Sequence, residues 1–406
     1  MSSPAYTEAL RVLSLGIDTD LNAALLAALK PMDGTDPVVY LADFSRRTLI
    51  PVPTGDSRSD VGDEEVASTM AGRAFITRNP VCAERADGFR LWVPLVEGTM
   101  RTGVLAVTLP LVDDEKLADV EMLGVFAGLA LAATAPLSDL SHIRRRGRTM
   151  SLAATMQWSL MPPLAAATQR AAISGVLEPA YDIAGDGFDY AINADAIEFA
   201  ILDGMGHGVA SSMLTGLAIG AYRHSRREGS SLPKMHNAIE RAIFEQYQGE
   251  AFATGIIGRL STATGELDWS CAGHPAPLLL RERRVIAELE CEPVLPFGLG
   301  EEEPVSVGLQ VLQPGDAVLL YTDGVVEART TTGEEFGLPR LIDLFEREAA
   351  SERTGEELLR RVVRAVLDYQ VDKLRDDATM MLVEWTGATE RLDSDIPEQR
   401  PEKALG

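Results

Sequence analysis

The sequence has few of the features that mark secreted or membrane-spanning proteins. Its 406 residues include only three cysteines, an odd number without the spacing of a metal site, which argues against a disulfide framework. No apolar run approaches the roughly 18 residues that a membrane span requires. The opening MSSPAYTEAL lacks the basic and hydrophobic regions of a secretory signal. We therefore expect a cytoplasmic protein with no membrane partner.

Positive charge is also scarce. The chain has 37 lysines and arginines against 61 aspartates and glutamates, which gives a formal net charge of −24. Proteins bind nucleic acid mainly through clustered lysine and arginine, so nucleic acid is not expected as a partner. A ligand that carries several negative charges would need a local positive centre on this protein.

The chain has enough apolar residues, 46% of the total, to build two domains with separate cores. Alternating helix-like and strand-like runs predict a small α/β sensor domain over residues 8–135. A polar segment predicts a helical connector over 136–164. Residues 165–386 are rich in strand-like segments and form the second domain, and the polar tail 387–406 is predicted to be disordered.

Three helical stretches are predicted within the second domain. They lie near residues 209–228, 233–248 and 355–372.

Two aspartates of the second domain are predicted to face each other across a β-hairpin. Two runs rich in Phe, Tyr, Ile and Ala flank a two-residue loop at Ala194 and Asp195. The residue numbers of two positions that pair across such a hairpin always add up to the same total. The numbers of Asp186 and Asp203 add up to the same total as those of Ala194 and Asp195, so the two aspartates are predicted to pair. Directly opposed like charges are destabilising. Because residues 171–222 contain no lysine or arginine, a divalent cation is the simplest counter-charge.

Further aspartates occur at the ends of two other predicted strands. Asp323 ends the strand-like segment AVLLYTDG, and Asp376 and Asp377 precede the segment ATMMLVEW. If these two strands run antiparallel, the carboxylates gather at one edge of the sheets. Carboxylate oxygens without histidine or thiolate favour Mg²⁺ or Mn²⁺ over zinc.

Seven segments of the second domain occur in a recognisable order. They are AGDGFDY, LDGMGHG, FATG, AGHPAPLLL, PGDAVLLYTDGVVEA, FGLPRL and RDDATMMLV. Together they resemble the PPM-type serine/threonine protein phosphatases, and among these the SpoIIE-like bacterial branch. The resemblance spans residues 165–386. Gly187 and Phe188 depart from it, because the family usually has Phe and Tyr at these positions.

The resemblance implies a fold and a metal site. The fold class is α+β, with a C-terminal α-β-β-α sandwich that holds two Mn²⁺ or Mg²⁺ ions. The family motif carries metal ligation, and with it catalysis, onto Asp186, Asp203, Asp323 and Asp376, and metal ligation alone onto the carbonyl of Gly204. It places the metal carboxylate first in the Asp376–Asp377 pair, which leaves Asp377 a supporting role.

The N-terminal domain has a weaker resemblance to a known family. Residues 71–83, AGRAFITRNPVCA, and residues 91–110 resemble GAF domains, which serve as sensors or as dimerisation platforms. The connector segment QWSLMPPL is similar to the segment that commonly precedes the phosphatase in the SpoIIE-like branch. Leu137, Leu140 and Ile143 recur at three-residue steps, which favours a homodimer joined through this helical region.

The family resemblance implies a phosphoserine/phosphothreonine protein phosphatase regulated by its N-terminal domain. Its expected substrate is a phosphorylated STAS-type anti-sigma-factor antagonist. The alternative is a regulatory scaffold that has lost turnover and binds a signalling partner. His274 is expected to be a structural residue, and His142, His224 and His236 to lie on exposed helix faces. His207 is expected to be structural, with a role as a general acid as the alternative.

Overall fold

The structure is a computed structural model. It describes residues 21–52, 61–97, 100–135, 139, 142–143, 145–182, 185–292, 294–300, 304–351, 354–370 and 376–387. The chain divides into two compact units. The first contains residues 1–156 and 178–183, and the second contains 157–177 and 184–406. The predicted disordered tail lies outside the described residues from 388 onward.

The first unit is built on one six-stranded antiparallel sheet. Its strands are β1 (Thr35–Ala42), β2 (Thr48–Pro51), β3 (Glu64–Glu65), β4 (Val81–Arg85), β5 (Gly88–Glu97) and β6 (Met100–Leu109). The order in the sheet is β3-β2-β1-β6-β5-β4. Its helices are α1 (Leu21–Leu29), which continues into a 3-10 turn at Lys30–Met32, α2 (Met70–Thr77) and α3 (Asp114–Thr134). The predicted mixture of helix and strand is present, and the GAF-like identity of this unit stays a prediction.

Side-chain caps and small residues position two of these helices. The hydroxyl of Thr69 accepts the N–H of Gly72 at the start of α2, at 3.0 Å. The carboxylate of Asp113 likewise accepts from Lys116 at the start of α3. Gly124 lets α3 lie directly on β5, because a Cβ there would stand only 3.0 Å from the carbonyl oxygen of Pro94.

By length and composition alone, α3 is apolar enough to cross a membrane, contrary to the expectation that no apolar run approaches the necessary length. A core helix of a soluble domain passes the same test. One side of α3 is buried in the core of the first unit with Leu91 and Leu105 of the sheet. The helix also exposes three large apolar side chains, those of Met122, Val125 and Leu129.

The predicted helical connector is helical only in part. Helix α4 spans Leu152–Leu160, whereas the described residues 145–151 are not helical. Contacts within the first unit explain the difference, since Arg145 donates to the carbonyl of Ala42 and the N–H of Gly147 donates to the Tyr181 hydroxyl, both at 3.0 Å. Of the predicted dimer residues, Leu137 and Leu140 lie outside the described residues.

The second unit contains two sheets that face each other. The strands are β7 (Ala165–Ala167), β8 (Ala171–Glu178), β9 (Asp186–Ile192), β10 (Ala196–Gly204), β11 (Ala253–Ser261), β12 (Glu266–Ala272), β13 (Leu278–Arg281), β14 (Arg284–Glu288), β15 (Gly308–Val311), β16 (Ala317–Tyr321) and β17 (Ala378–Trp385). One sheet has the order β15-β12-β11-β10-β9, and the other β14-β13-β16-β17-β8-β7. The ring of Phe188 from β9 reaches β8, where a Cβ on Gly175 would lie 2.3 Å from it.

Helices cover the outer faces of both sheets. Helices α5 (Val209–Arg227) and α6 (Leu232–Tyr247) share a core with β10 and β11. After the short α7 (Asp323–Val326), helices α8 (Leu338–Ala349) and α9 (Gly355–Tyr369) share a core with β16 and β17. The predicted α-β-β-α sandwich is therefore confirmed, as are the three predicted helices.

Helix α8 was not predicted. It begins directly after Gly337, whose φ of 76° is accessible mainly to glycine, and it has a proline in its first turn. These are ordinary signals for a helix start.

Candidate metal centre

The predicted hairpin is present in the predicted register. Strands β9 and β10 pair antiparallel with Asp203 opposite Asp186. In the adjoining pair, the N–H of Gly204 donates to the carbonyl of Gly185 at 3.1 Å. Hydrogen-bonded pairs alternate with non-hydrogen-bonded ones along an antiparallel ladder, so the Asp186–Asp203 pair is of the second kind, in which the side chains lie closer.

The second pair of carboxylates lies where β16 ends and β17 begins. These strands are antiparallel neighbours, as predicted, with Tyr321 opposite Met380. Asp323 follows β16 as the first residue of α7, and Asp376 lies two residues before β17. Asp323 is half-buried, and Asp376 is exposed.

The electrostatics show that these carboxylates are neighbours. Burial, followed by the charges of Asp323, Asp376 and Asp377, raises the pKa of Asp203 to about 7. Burial and the charges of Asp203 and Asp377 raise the pKa of Asp186. The pKa of Asp323 is raised by burial and by Asp376, and that of Asp376 by burial and by Asp377. Carboxylates that oppose one another's ionisation favour a cation among them.

Two neighbouring side chains hold Asp186 in place. The hydroxyl of Thr322 donates to Asp186 Oδ2 at 2.7 Å, and the N–H of Thr379 donates to that hydroxyl oxygen at 3.0 Å. Asp377 Oδ2 accepts the N–H of Gly185 at 2.7 Å and that of Asp186 at 3.4 Å. A supporting role for Asp377 was expected from the family resemblance, whereas Thr322 was not predicted, because its only signal was its place between β16 and Asp323.

The glycines after the aspartates are required by close packing. A Cβ on Gly204 would lie 2.5 Å from Thr215 Oγ1, and one on Gly324 would lie 1.9 Å from the carbonyl oxygen of Asp377. The backbone turns sharply only after Gly204, at Gly206 and Gly208, whose φ values are 91° and 79°.

The backbone carbonyl of Gly204 is the fifth predicted metal ligand. In the structure it accepts a hydrogen bond from the Ser211 hydroxyl of α5 at 2.6 Å. A carbonyl oxygen has two lone pairs, so one remains for a cation.

Oxygen donors dominate this site, but they do not form a closed cage. Within the part of the chain that the structure describes, no three His, Cys, Asp or Glu side chains lie close enough together to enclose one ion. Mg²⁺ usually retains several waters and uses only one or two protein carboxylates. The carboxylates present therefore fit an ion of this kind with water completing its coordination.

Two histidines of the second unit are structural. His274 is buried, which lowers its pKa to about 3, and its Nδ1 lies 2.9 Å from the Thr254 hydroxyl. His236 was expected on an exposed face, which is wrong. It is buried in α6 with Nδ1 at 3.2 Å from the Ser270 hydroxyl, and burial lowers its pKa to about 4. His207 is exposed, three residues after Gly204 in the sequence.

Comparison with known proteins agrees with this architecture. Residues 193–386 match the family model described as Stage II sporulation protein E (SpoIIE). The chain is 22% identical to the phosphoserine phosphatase RsbU of Bacillus subtilis, over 58% of this chain and 69% of RsbU. It is 28% identical to the phosphoserine phosphatase RsbP of the same organism, over 36% of this chain and 37% of RsbP.

A solved structure is similar over the same region. The SiaA-PP2C domain of Pseudomonas aeruginosa has 20% sequence identity and a TM-score of 0.49, and the match covers 57% of this chain and 94% of that domain.

Proposed function

We propose that this chain is a metal-dependent protein serine/threonine phosphatase, because residues 193–386 form a domain of the SpoIIE type. One observation carries the proposal. Asp186, Asp203, Asp323 and Asp376 lie in a group of carboxylates that raise one another's pKa, and residues 171–222 contain no lysine or arginine to neutralise them. A phosphoryl group is also negative, so cations must lie between it and these carboxylates.

In this proposal the carboxylates both ligate metal and serve catalysis. The ligands are Asp186, Asp203, Asp323, Asp376 and the carbonyl of Gly204, which together hold two Mn²⁺ or Mg²⁺ ions. The bound ions supply a metal-activated water and neutralise the phosphoryl oxygens. The contribution of the chain is orientation, since Thr322 fixes the carboxylate of Asp186 and Asp377 holds its backbone.

The proposed substrate is a phosphoserine on a partner protein, with a STAS-type anti-sigma-factor antagonist as the leading candidate. RsbU and RsbP are both described as phosphoserine phosphatases, which supports this class of substrate. The many acidic residues of the chain disfavour nucleotides and other highly charged small phosphates.

The test of the substrate compares three compounds in the presence of Mn²⁺. They are a folded phosphorylated STAS domain, a phosphopeptide of the same sequence and a nucleotide. We expect the folded domain to release phosphate fastest. Equal rates on the peptide and the folded domain, or faster release from the nucleotide, would contradict recognition of a protein surface.

We also propose that the first unit is a GAF-like regulatory domain of a cytoplasmic homodimer. The exposed apolar side chains of Met122, Val125 and Leu129 recur on α3 at steps of three and four residues, which supports a helix-to-helix contact between two copies. Removal of residues 1–135 is then expected to change the phosphatase rate.

The second candidate function is a scaffold that binds a signalling partner without turnover. Mn²⁺-dependent hydrolysis of a generic aryl phosphate separates the two functions, because a scaffold gives no rate above background.

A further inference from the structure

The backbone of Asp186 is held from outside its own hairpin. Strand β9 lies at the edge of the five-stranded sheet, so no described strand pairs with its outer side. The N–H of Asp186 points toward Asp377 Oδ2, at 3.4 Å. Its carbonyl oxygen accepts a hydrogen bond from Nε2 of Gln157, a residue of α4. Two side chains thus take the place of a neighbouring strand at this aspartate.

Gln157 is an unusual residue for the place that it occupies. Its side chain is 0% exposed, and only its amide nitrogen can donate to a carbonyl, which fixes the orientation of the amide. Its Oε1 has no hydrogen-bond partner among the described residues. An unsatisfied buried oxygen lowers stability, whereas an apolar side chain of the same length would avoid this cost. The one hydrogen bond of Gln157 therefore explains a glutamine here, because it gives the buried backbone carbonyl of Asp186 a partner.

Gly187 provides the space that the Gln157 amide uses. A Cβ on Gly187 would lie 2.9 Å from Gln157 Nε2, and 3.0 Å from Thr215 Cγ2 on α5. Gly187 is also one of the two positions at which this chain departs from the pattern of the family that it resembles. The buried amide of Gln157 therefore depends on the glycine at position 187, because a side chain there would take the space that the amide fills.

Other contacts anchor the end of α4 without Gln157. The guanidinium of Arg223 donates to the carbonyl of Leu160. The Tyr190 hydroxyl donates to the carbonyl of Pro163 at 2.6 Å. The N–H of Gly175 donates to the carbonyl of Leu164 at 2.8 Å. Loss of the Gln157 amide is therefore expected to leave this segment docked on the second unit.

We propose that Gln157 is a positioning residue for the metal-binding carboxylate of Asp186. The proposal rests on the proposed function, because it takes Asp186 as a metal ligand. The amide fixes the peptide plane between Asp186 and Gly187, and Asp377 fixes the plane on the other side. Without the amide, the first residue of an edge strand is held at only one of its two backbone groups, and the hydrogen bond from Thr322 is left to orient its carboxylate on a less firmly held backbone.

The test measures Mn²⁺ binding to the full chain by isothermal titration calorimetry, a readout that needs no turnover. Gln157→Met keeps the length of the side chain and removes the donor. Gly187→Ala keeps Gln157 and displaces its amide. For each variant we expect the Mn²⁺ dissociation constant to rise about 10-fold or more, as for other residues that support a metal ligand. The double variant should be no weaker than the weaker single variant, because both changes break the same contact.

Tyr190→Phe is the matched control. It removes a hydrogen bond between the same segment and the same strand, away from the Asp186 carbonyl. We expect it to leave the Mn²⁺ dissociation constant unchanged. Circular dichroism and melting temperature are recorded for every protein. If Gln157→Met does not fold, Gly187→Ala decides the question alone.

The outcomes separate this inference from the proposed function. If the parent chain binds no Mn²⁺, both fail. If the parent binds Mn²⁺ and both the methionine and the alanine variant bind it equally well, Gln157 has only a packing role and this inference alone is overturned. Weakened binding in all three folded variants, the tyrosine control included, would also overturn it, since the effect would not be specific to the Asp186 carbonyl.

Discussion

Three other carboxylates of the site act on the ionisation of Asp203. Burial and the charges of Asp323, Asp376 and Asp377 raise its pKa to about 7. A carboxyl with this pKa carries a proton at slightly acidic pH, and a cation must displace the proton before the oxygen becomes a ligand. Metal binding is thus tied to pH through the carboxylates of this site, Asp203 among them.

We expect Mn²⁺ affinity to fall as the pH is lowered from 8 to 6. The Asp203 carboxyl is about one-tenth protonated at pH 8 and about nine-tenths protonated at pH 6, which weakens binding roughly tenfold. Titration calorimetry of the full chain at both pH values measures this, with circular dichroism as a control for folding. An affinity that does not change over this range would show that no carboxyl of the site titrates near pH 7.

The two adjacent aspartates should differ in what they do. Asp377 is buried and accepts N–H groups of Gly185 and Asp186, whereas Asp376 is exposed at the edge of the site. We expect Asp376→Ala to remove Mn²⁺-dependent phosphate release while the melting temperature stays within a few degrees of the parent. Asp377→Ala should lower the melting temperature, because buried N–H groups lose their acceptor.

Comparable loss of rate and unchanged melting in both variants would show that the roles of Asp376 and Asp377 are misassigned. The assay is release of phosphate from an aryl phosphate, together with thermal unfolding followed by circular dichroism.

Some site residues were predictable from the sequence and others were not. The pairing of Asp186 with Asp203 was predictable, because a two-residue loop fixes which residues pair along the whole hairpin. Thr322 and Gln157 act through hydrogen bonds to groups 136 and 29 residues away, and no local pattern reports such contacts. His236 was placed at the surface because the stretch of sequence around it is polar, but its own side faces Ser270 and Phe297.

At the scale of elements, helix α5 is fixed to β9 by buried charge. Asp189 accepts from Arg223 and from Arg226, each at 2.7 Å, and the Asp189 side chain is only 2% exposed. Arg226 is 8% exposed. Since α5 also carries Ser211, this ion cluster positions the helix that contacts the Gly204 carbonyl.

We expect Arg226→Met to destabilise the second unit by about 3 kcal/mol, because removing one partner leaves a buried carboxylate with incomplete compensation. Denaturant unfolding followed by circular dichroism measures the change. Arg241→Ala is the control, since its ion pair with Glu245 is 71% exposed on both sides and should contribute less than about 1 kcal/mol. Equal effects of the two changes would mean that the Asp189 cluster does not anchor α5.

The elements that the sequence did not predict have physical explanations. Helix α8 begins at FGLPRL, which was used only as a family motif, although its glycine and proline are helix-start signals. Residues 145–151 were expected to be helical, but hydrogen bonds from Arg145 and Gly147 to distant partners outweigh local propensity. Long periodic helices such as α5 and α9 were predictable because their apolar faces repeat several times.

At the scale of the whole molecule, we expect a dimer formed through the first unit. Light scattering of the full chain should report twice the mass of one chain, and Leu129→Glu should shift it to the monomer, because a charge in an apolar helix contact is costly. Leu309→Glu, the same change at an exposed leucine of the second unit, is the control and should leave the dimer intact. A monomeric parent chain at micromolar concentration would contradict this arrangement.

The most direct test of metal-dependent catalysis by the clustered aspartates is phosphate release from an aryl phosphate by the full chain and by Asp203→Asn. We predict that the parent rate rises with Mn²⁺ and is abolished by a chelator. We predict that Asp203→Asn retains less than about one-tenth of that rate with an unchanged circular dichroism spectrum, since even supporting residues at metal sites contribute 10- to 100-fold. A folded Asp203→Asn chain with more than about one-tenth of the parent rate would contradict it.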